Sequence, residues 1–190
     1  MKPYNGYKAE RRVNRVPLPA GGYVAKILKA EEVEYSWGSV LQLSFDIAEG
    51  EHKDFFAKDY KANTAEDKKW RGTYRLTVPA DDGTDKDEWT KHSFNDAMAC
   101  IEESNNGYQW NWDEKSLAGK FIGILFRDRE WEMNGRTGWT TEAGKITTAA
   151  DIREGTFKPL NAKPLNNSSA SGAFASPATW EPASDSDLPF

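Results

Sequence analysis

The stretch KFIGILFRDREWEMNGRTGWTT, residues 120–141, decides the architecture. Asn134-Gly135 suits the positive φ angles that a type I′ turn requires at both central positions, and it predicts a tight hairpin. Ile122, Ile124 and Phe126 alternate before it, the period-two pattern of a half-buried strand. RTGWTT returns antiparallel. With the turn centred on Asn134-Gly135, Trp131 stands opposite Gly138, which leaves room for the indole to lie flat on the neighbouring strand.

Working outward, the rest of residues 21–160 reads mostly as strands. GGYVAKILKAEEVEY is a first strand. In SVLQLSFDIAEG, Leu41, Leu43, Phe45 and Ile47 fall on one face and Gln42, Ser44 and Asp46 on the other, giving a second. KDFFAKDY and GTYRLTVP supply third-strand material, with Phe56, Lys58 and Tyr60 in alternate positions. One helix follows. In DEWTKHSFNDAMACIEESN, Phe94, Ala97, Met98 and Ile101 recur at i, i+3, i+4 and i+7, and Asn105, Asn106 and Gly107 stop it. Three strands, a helix and a hairpin predict a mainly β domain: an OB-fold-like five-stranded barrel with its helix between the third and fourth strands. A plain antiparallel sheet with one helix packed on it is the alternative.

The flanks differ in composition. Residues 1–20 form a basic arm; from Met1 to Ala30, seven Lys and Arg face the single acid Glu10, although the whole chain nets -5. Charge is segregated, so a local basic surface is compatible with an acidic total. Residues 161–184, rich in Asn, Ser, Ala and Pro, are expected to be a disordered linker, and residues 185–190, DSDLPF, end the chain on an exposed apolar tripeptide.

Composition argues against several classes. No run approaches the roughly 20 apolar residues of a membrane span. The N-terminus shows no apolar signal region, so the expected compartment is the cytoplasm, that of the bacterial host if the chain is phage-encoded. Cys100 is the single cysteine, which excludes an internal disulfide and a cysteine zinc site. His52 and His92 lack metal spacing, and no glycine-rich phosphate loop occurs. Asp128, Glu130 and Glu132 read as a solvated strand face. Asp81, Asp82, Asp85 and Asp87 resemble a calcium loop loosely, but His92 stands where its final Glu belongs. No enzyme, cofactor or metal is expected.

What the chain does carry is cations interleaved with flat rings, the combination that holds single-stranded nucleic acid: cations track the backbone while rings stack on bases. The arm offers Tyr7, Lys8, Arg11, Arg12 and Arg15. The first hairpin loop offers Tyr35 and Trp37. Phe56, Lys58 and Tyr60 precede Lys69, Trp70, Arg71, Tyr74 and Arg75. The long strand places Arg127, Arg129 and Trp131 on one face, and the second hairpin adds Arg136 and Trp139. The competing reading of these rings is packing at the core edge.

The ending brings in a family. Asp185, Asp187, Leu188, Pro189 and Phe190 resemble the acidic tip of bacterial and phage single-stranded DNA-binding proteins, the SSB family, whose layout of OB-fold, linker and tip is also similar to this one. The body carries no family signature and looks like a diverged phage version. The resemblance implies that the body coats single-stranded DNA without sequence preference and protects it. It further implies that the tip recruits replication, recombination and repair proteins, in phages including a strand-annealing recombinase. A homo-oligomer is compatible with this. A terminal carboxylate with Phe190 and Pro189 suits capture in a small pocket rimmed by Arg or Lys. The alternative function is a tip mimic that sequesters host repair enzymes without coating DNA.

Overall fold

The computed structural model describes Lys2, Asn5, Tyr7 and residues 16–165. It is built on one five-stranded antiparallel sheet: β1 (Gly21–Tyr35), β2 (Gly38–Ile47), β3 (Thr73–Thr77), β4 (Phe121–Met133) and β5 (Arg136–Thr147), in spatial order β3-β2-β1-β4-β5. No ladder joins β3 to β5, so the sheet is not a closed barrel, although these two edges come into contact.

Curvature has a local cause. β1 pairs through its first half with β4 and through its second half with β2, sharing Ala25 and Lys26. Between Ile27 and Lys29 the register slips, leaving Leu28 as the extra residue of a bulge that sharpens the bend. A second slip sets Gly144 as the extra residue of β5. The hairpin β4–β5 matches the expectation. Asn134 and Gly135 both have positive φ (52° and 71°), and the register pairs Trp131 with Gly138. The alternating apolar face of β2 is the middle of the core: Leu43, Phe45 and Ile47 are fully buried with Ile27, Ile101, Ile122, Ile124 and Ile146.

The predicted helix is α2 (Asp85–Ser104), between β3 and β4. Thr84 caps it by accepting from the Asp87 amide, and Asp85, Asp87 and Glu88 place negative charge at its positive end. Phe94, Ala97, Met98 and Ile101 are its buried face, as the periodicity requires. Asn105 ties its end to the sheet: the side-chain amide donates to the Ile101 and Phe121 carbonyls, and its oxygen accepts from the Phe121 amide.

Two corrections concern helical structure. The single-helix expectation fails: α1 (Phe55–Ala62) and α3 (Ala149–Glu154) join α2, with a 3₁₀ turn at Glu114–Leu117. KDFFAKDY is not strand: it forms α1 (Phe55–Ala62), so Phe56, Lys58 and Tyr60 lie on a helix and not along a strand face. The cause is remote in sequence. Asp46, on the outer face of β2 yet buried, accepts from the amides of Ile47, Phe56 and Ala57 at 2.8, 2.9 and 3.0 Å, pinning the first turn of α1 against the strand. A carboxylate there satisfies orphan amides and complements the helix dipole. α3 is capped by Thr148 and ends at Gly155 in the left-handed region.

The chain beyond Leu160 stays with the body for a few residues. Lys163 lies parallel to Arg129, its amide donating to the Asp128 carbonyl and its carbonyl accepting from the Glu130 amide. No helix of the described residues is long and apolar enough to cross a membrane.

Candidate nucleic-acid interface

A cleft of about 670 Å³ lies where the two edges of the sheet approach. β3 supplies Tyr74 and Arg75, with Arg71 just before it. The hairpin β4–β5 supplies Arg129, Trp131 and Trp139, and α1 supplies Phe55 and Phe56. The segment Val16–Leu18 enters along the same cleft, held where the Thr141 hydroxyl donates to the Leu18 carbonyl. Asp59 and Glu142 also line it, so its rim carries three guanidiniums and two carboxylates.

Each group is placed by its element. Strand alternation sets Arg127, Arg129 and Trp131 on one face of β4 and Asp128, Glu130 and Glu132 on the other. The Trp131 indole lies over Gly138: a Cβ added there would meet its ring carbons at 2.7 and 2.9 Å. Trp131 is half-buried in consequence, whereas Trp139 is exposed. Phe56 packs with Phe45 and Phe126 beneath the cleft and is core. Burial pushes the Tyr74 hydroxyl above its ordinary value, with the Arg127 charge opposing and Asp96 adding to the shift; Tyr74 is a neutral donor at neutral pH.

The other sequence candidates lie elsewhere. Trp70 is half-buried at the core edge, and its indole N–H donates to the carbonyls of Phe45 and Gly72. Tyr60 packs beside it, covered by the Lys68 ammonium, and Lys58 donates to the Lys53 carbonyl. Lys69 and Arg136 are exposed. Tyr35 and Trp37 stack on each other at the β1–β2 turn, rings 5.3 Å apart and nearly parallel, outside the cleft lining. Tyr7 is exposed. Lys8, Arg11, Arg12 and Arg15 lie outside the described residues, as do residues 166–184 and the tip residues Asp185, Asp187, Leu188, Pro189 and Phe190.

Sequence reasoning missed Phe55, Asp59 and Glu142 as cleft residues. Glu142 had a signal. It is the cross-strand partner of Arg127 in the register that the Asn134-Gly135 turn imposes. Its carboxylate accepts from Arg127 Nε and Nη2 at 3.0 and 2.9 Å and from Arg129 Nη1 at 3.4 Å. Among the described residues no group of three acidic, histidine or cysteine side chains is arranged to hold a metal ion. The acids Asp81 and Asp87 instead surround the Lys91 ammonium. No protein-family model matches the chain, and no curated protein matches it.

Proposed function

We propose that the protein binds single-stranded DNA without sequence preference, and that its C-terminal tip docks replication, recombination or repair proteins. The observation that carries the reading is the cleft: Arg71, Arg75 and Arg129 stand at its rim beside Tyr74, Trp131 and Trp139. Guanidiniums hold phosphates, and exposed rings stack on bases at about 1–3 kcal/mol each regardless of sequence. Its volume falls in the range, about 300–1,000 Å³, that encloses a small ligand, so it admits unstacked nucleotides rather than a double helix.

The architecture supports the same reading. A partly open five-stranded barrel with a helix between its third and fourth strands is the OB arrangement, which binds oligonucleotides across its face and hairpin loops. What supports the comparison in this chain is an open five-stranded antiparallel sheet with a cleft between its β3 and β5 edges and α2 between β3 and β4 in sequence. Val16, Pro17 and Leu18, in the described part of residues 1–20, line the cleft.

The test is titration of the full chain with oligo(dT), read by Trp fluorescence across a salt series. Binding quenches Trp emission, duplex of the same length competes poorly, and the log of affinity falls with log salt by about 0.7 per phosphate neutralised. No binding at low salt refutes the reading. For the tip, deletion of Phe190 leaves oligo(dT) affinity unchanged and removes defined replication or repair enzymes from a pulldown; equal capture by both forms refutes the docking role.

A further inference from the structure

The cleft contains a feature that a simple cationic groove lacks. Glu142 gathers three cations: Arg127 grips one carboxylate oxygen with two donors, Arg129 reaches the other at 3.4 Å, and the Lys163 ammonium stands 3.9 Å away. The carboxylate is only 24% exposed, so water screens it incompletely. A carboxylate and a phosphodiester present the same pair of acceptor oxygens to a guanidinium. Of the two guanidiniums Arg129 is the looser, half-exposed and held by one long contact, whereas Arg127 is held twice and is more covered.

We propose that Glu142 is a built-in counter-ion that stands in for a strand phosphate and yields Arg129 when a polyanion enters the cleft. It makes the cleft select strands over single phosphates. Without a strand, the carboxylate keeps Arg127, Arg129 and Lys163 from repelling one another and holds the Arg129 guanidinium at the cleft. A lone nucleotide gains one phosphate contact and must compete with Glu142 for it. A strand also reaches Arg71 and Arg75 on the opposite wall, and those contacts outweigh the competition. The inference rests on reading the cleft as a single-strand site.

The experiment compares wild type, Glu142→Gln and Glu142→Asp. Each is titrated with oligo(dT) and with dTMP, and each is melted with and without sodium tripolyphosphate. Glu142→Gln keeps the shape and removes the charge. It is expected to bind oligo(dT) about five- to tenfold more tightly at about 0.1 M salt, with a salt slope steeper by about 0.7. It also gains measurable dTMP binding, and its Tm rises more with tripolyphosphate than that of wild type. Glu142→Asp, with a carboxylate withdrawn toward Arg127, falls between the two. Equal or weaker oligo(dT) binding by both variants with folding intact overturns the proposal. If neither wild type nor variants bind oligo(dT), tripolyphosphate decides alone. A larger Tm gain in Glu142→Gln keeps the counter-ion role while the single-strand reading falls; an equal gain removes the counter-ion role as well.

Discussion

Replacing Asp46 by Ala tests how the cleft wall is held. The Asp46 carboxylate accepts three amides, and two of them, Phe56 and Ala57, belong to the first turn of α1. Its loss leaves those two donors without a partner in a site where Asp46 itself is 7% exposed. At about 1–2 kcal/mol for each orphaned donor, plus about 0.5–1 kcal/mol for the lost dipole interaction, the cost is about 3–4 kcal/mol. For a body of this size each kcal/mol lowers Tm by about 2–4 °C, so Asp46→Ala melts roughly 6–16 °C below wild type. Asp46→Asn discriminates further. Oδ1 accepts from both Ile47 and Phe56, and Oδ2 accepts from Ala57 alone. An amide keeps the first pair and turns an NH₂ toward the third donor, which predicts about half the loss. Differential scanning calorimetry on the three proteins is the assay. An Asp46→Ala midpoint within about 2 °C of wild type refutes the remote-capping account, and equal losses for Ala and Asn refute the division between the two oxygens.

Four other outcomes are expected. Gly138→Ala forces the Trp131 indole off the strand, because the new Cβ meets ring carbons at 2.7 and 2.9 Å; oligo(dT) affinity drops by about 1–2 kcal/mol with little change in Tm, and unchanged affinity shows the ring does not stack on a base. Trp70→Phe removes the N–H that holds the Phe45 and Gly72 carbonyls, and lowers Tm by a few degrees without a proportionate loss of oligo(dT) affinity; affinity lost at full stability assigns that ring to the strand instead. The Arg153 guanidinium holds the Glu49 carboxyl below its ordinary value, and the hydroxyls of Thr148 and Thr147 do the same for Asp151. Both give stability that is present above the ordinary carboxylate range and lost as pH falls through it, so Tm measured from about pH 6 to pH 3 should decline and not rise. Burial, reinforced by Asp96 and Glu103, pushes the Cys100 thiol up to about 11, and iodoacetamide should modify the native protein at about pH 8 far more slowly than the denatured chain.

Elements whose pattern is local were legible: β1, β2, the apolar face of α2 and the Asn134-Gly135 turn. α1 was not, and its residues show why. Phe56 and Tyr60 are four apart, a spacing shared by alternate strand positions and by successive turns of a helix, so periodicity cannot separate the two. The deciding group, Asp46, lies ten residues upstream of Phe56. α3 carried a signal that went unused: Thr148 with Asp151 three residues on, then Gly155. Composition identified cations and rings but not their grouping. Arg71, Tyr74, Arg75, Arg129, Trp131 and Trp139 share one cleft because the sheet curls at its bulges, whereas Trp70 and Tyr60, close by in sequence, turn to the core edge.

The seam between β3 and β5 has a consequence for solubility. Each strand pairs on one side only within the sheet, so each presents an unpaired row of backbone donors and acceptors at the seam. Such edges template association between copies of a chain unless charge guards them. Arg71, Arg75 and Arg129 stand at that seam and repel their counterparts on a second molecule. Removing them together therefore strips the protection against edge-to-edge aggregation along with the phosphate contacts. A triple Arg→Ala protein that precipitates will have lost its guard before its ligand affinity can be read, and Arg→Lys exchanges, which keep the charge while losing the planar fork, are the informative substitutions at these positions.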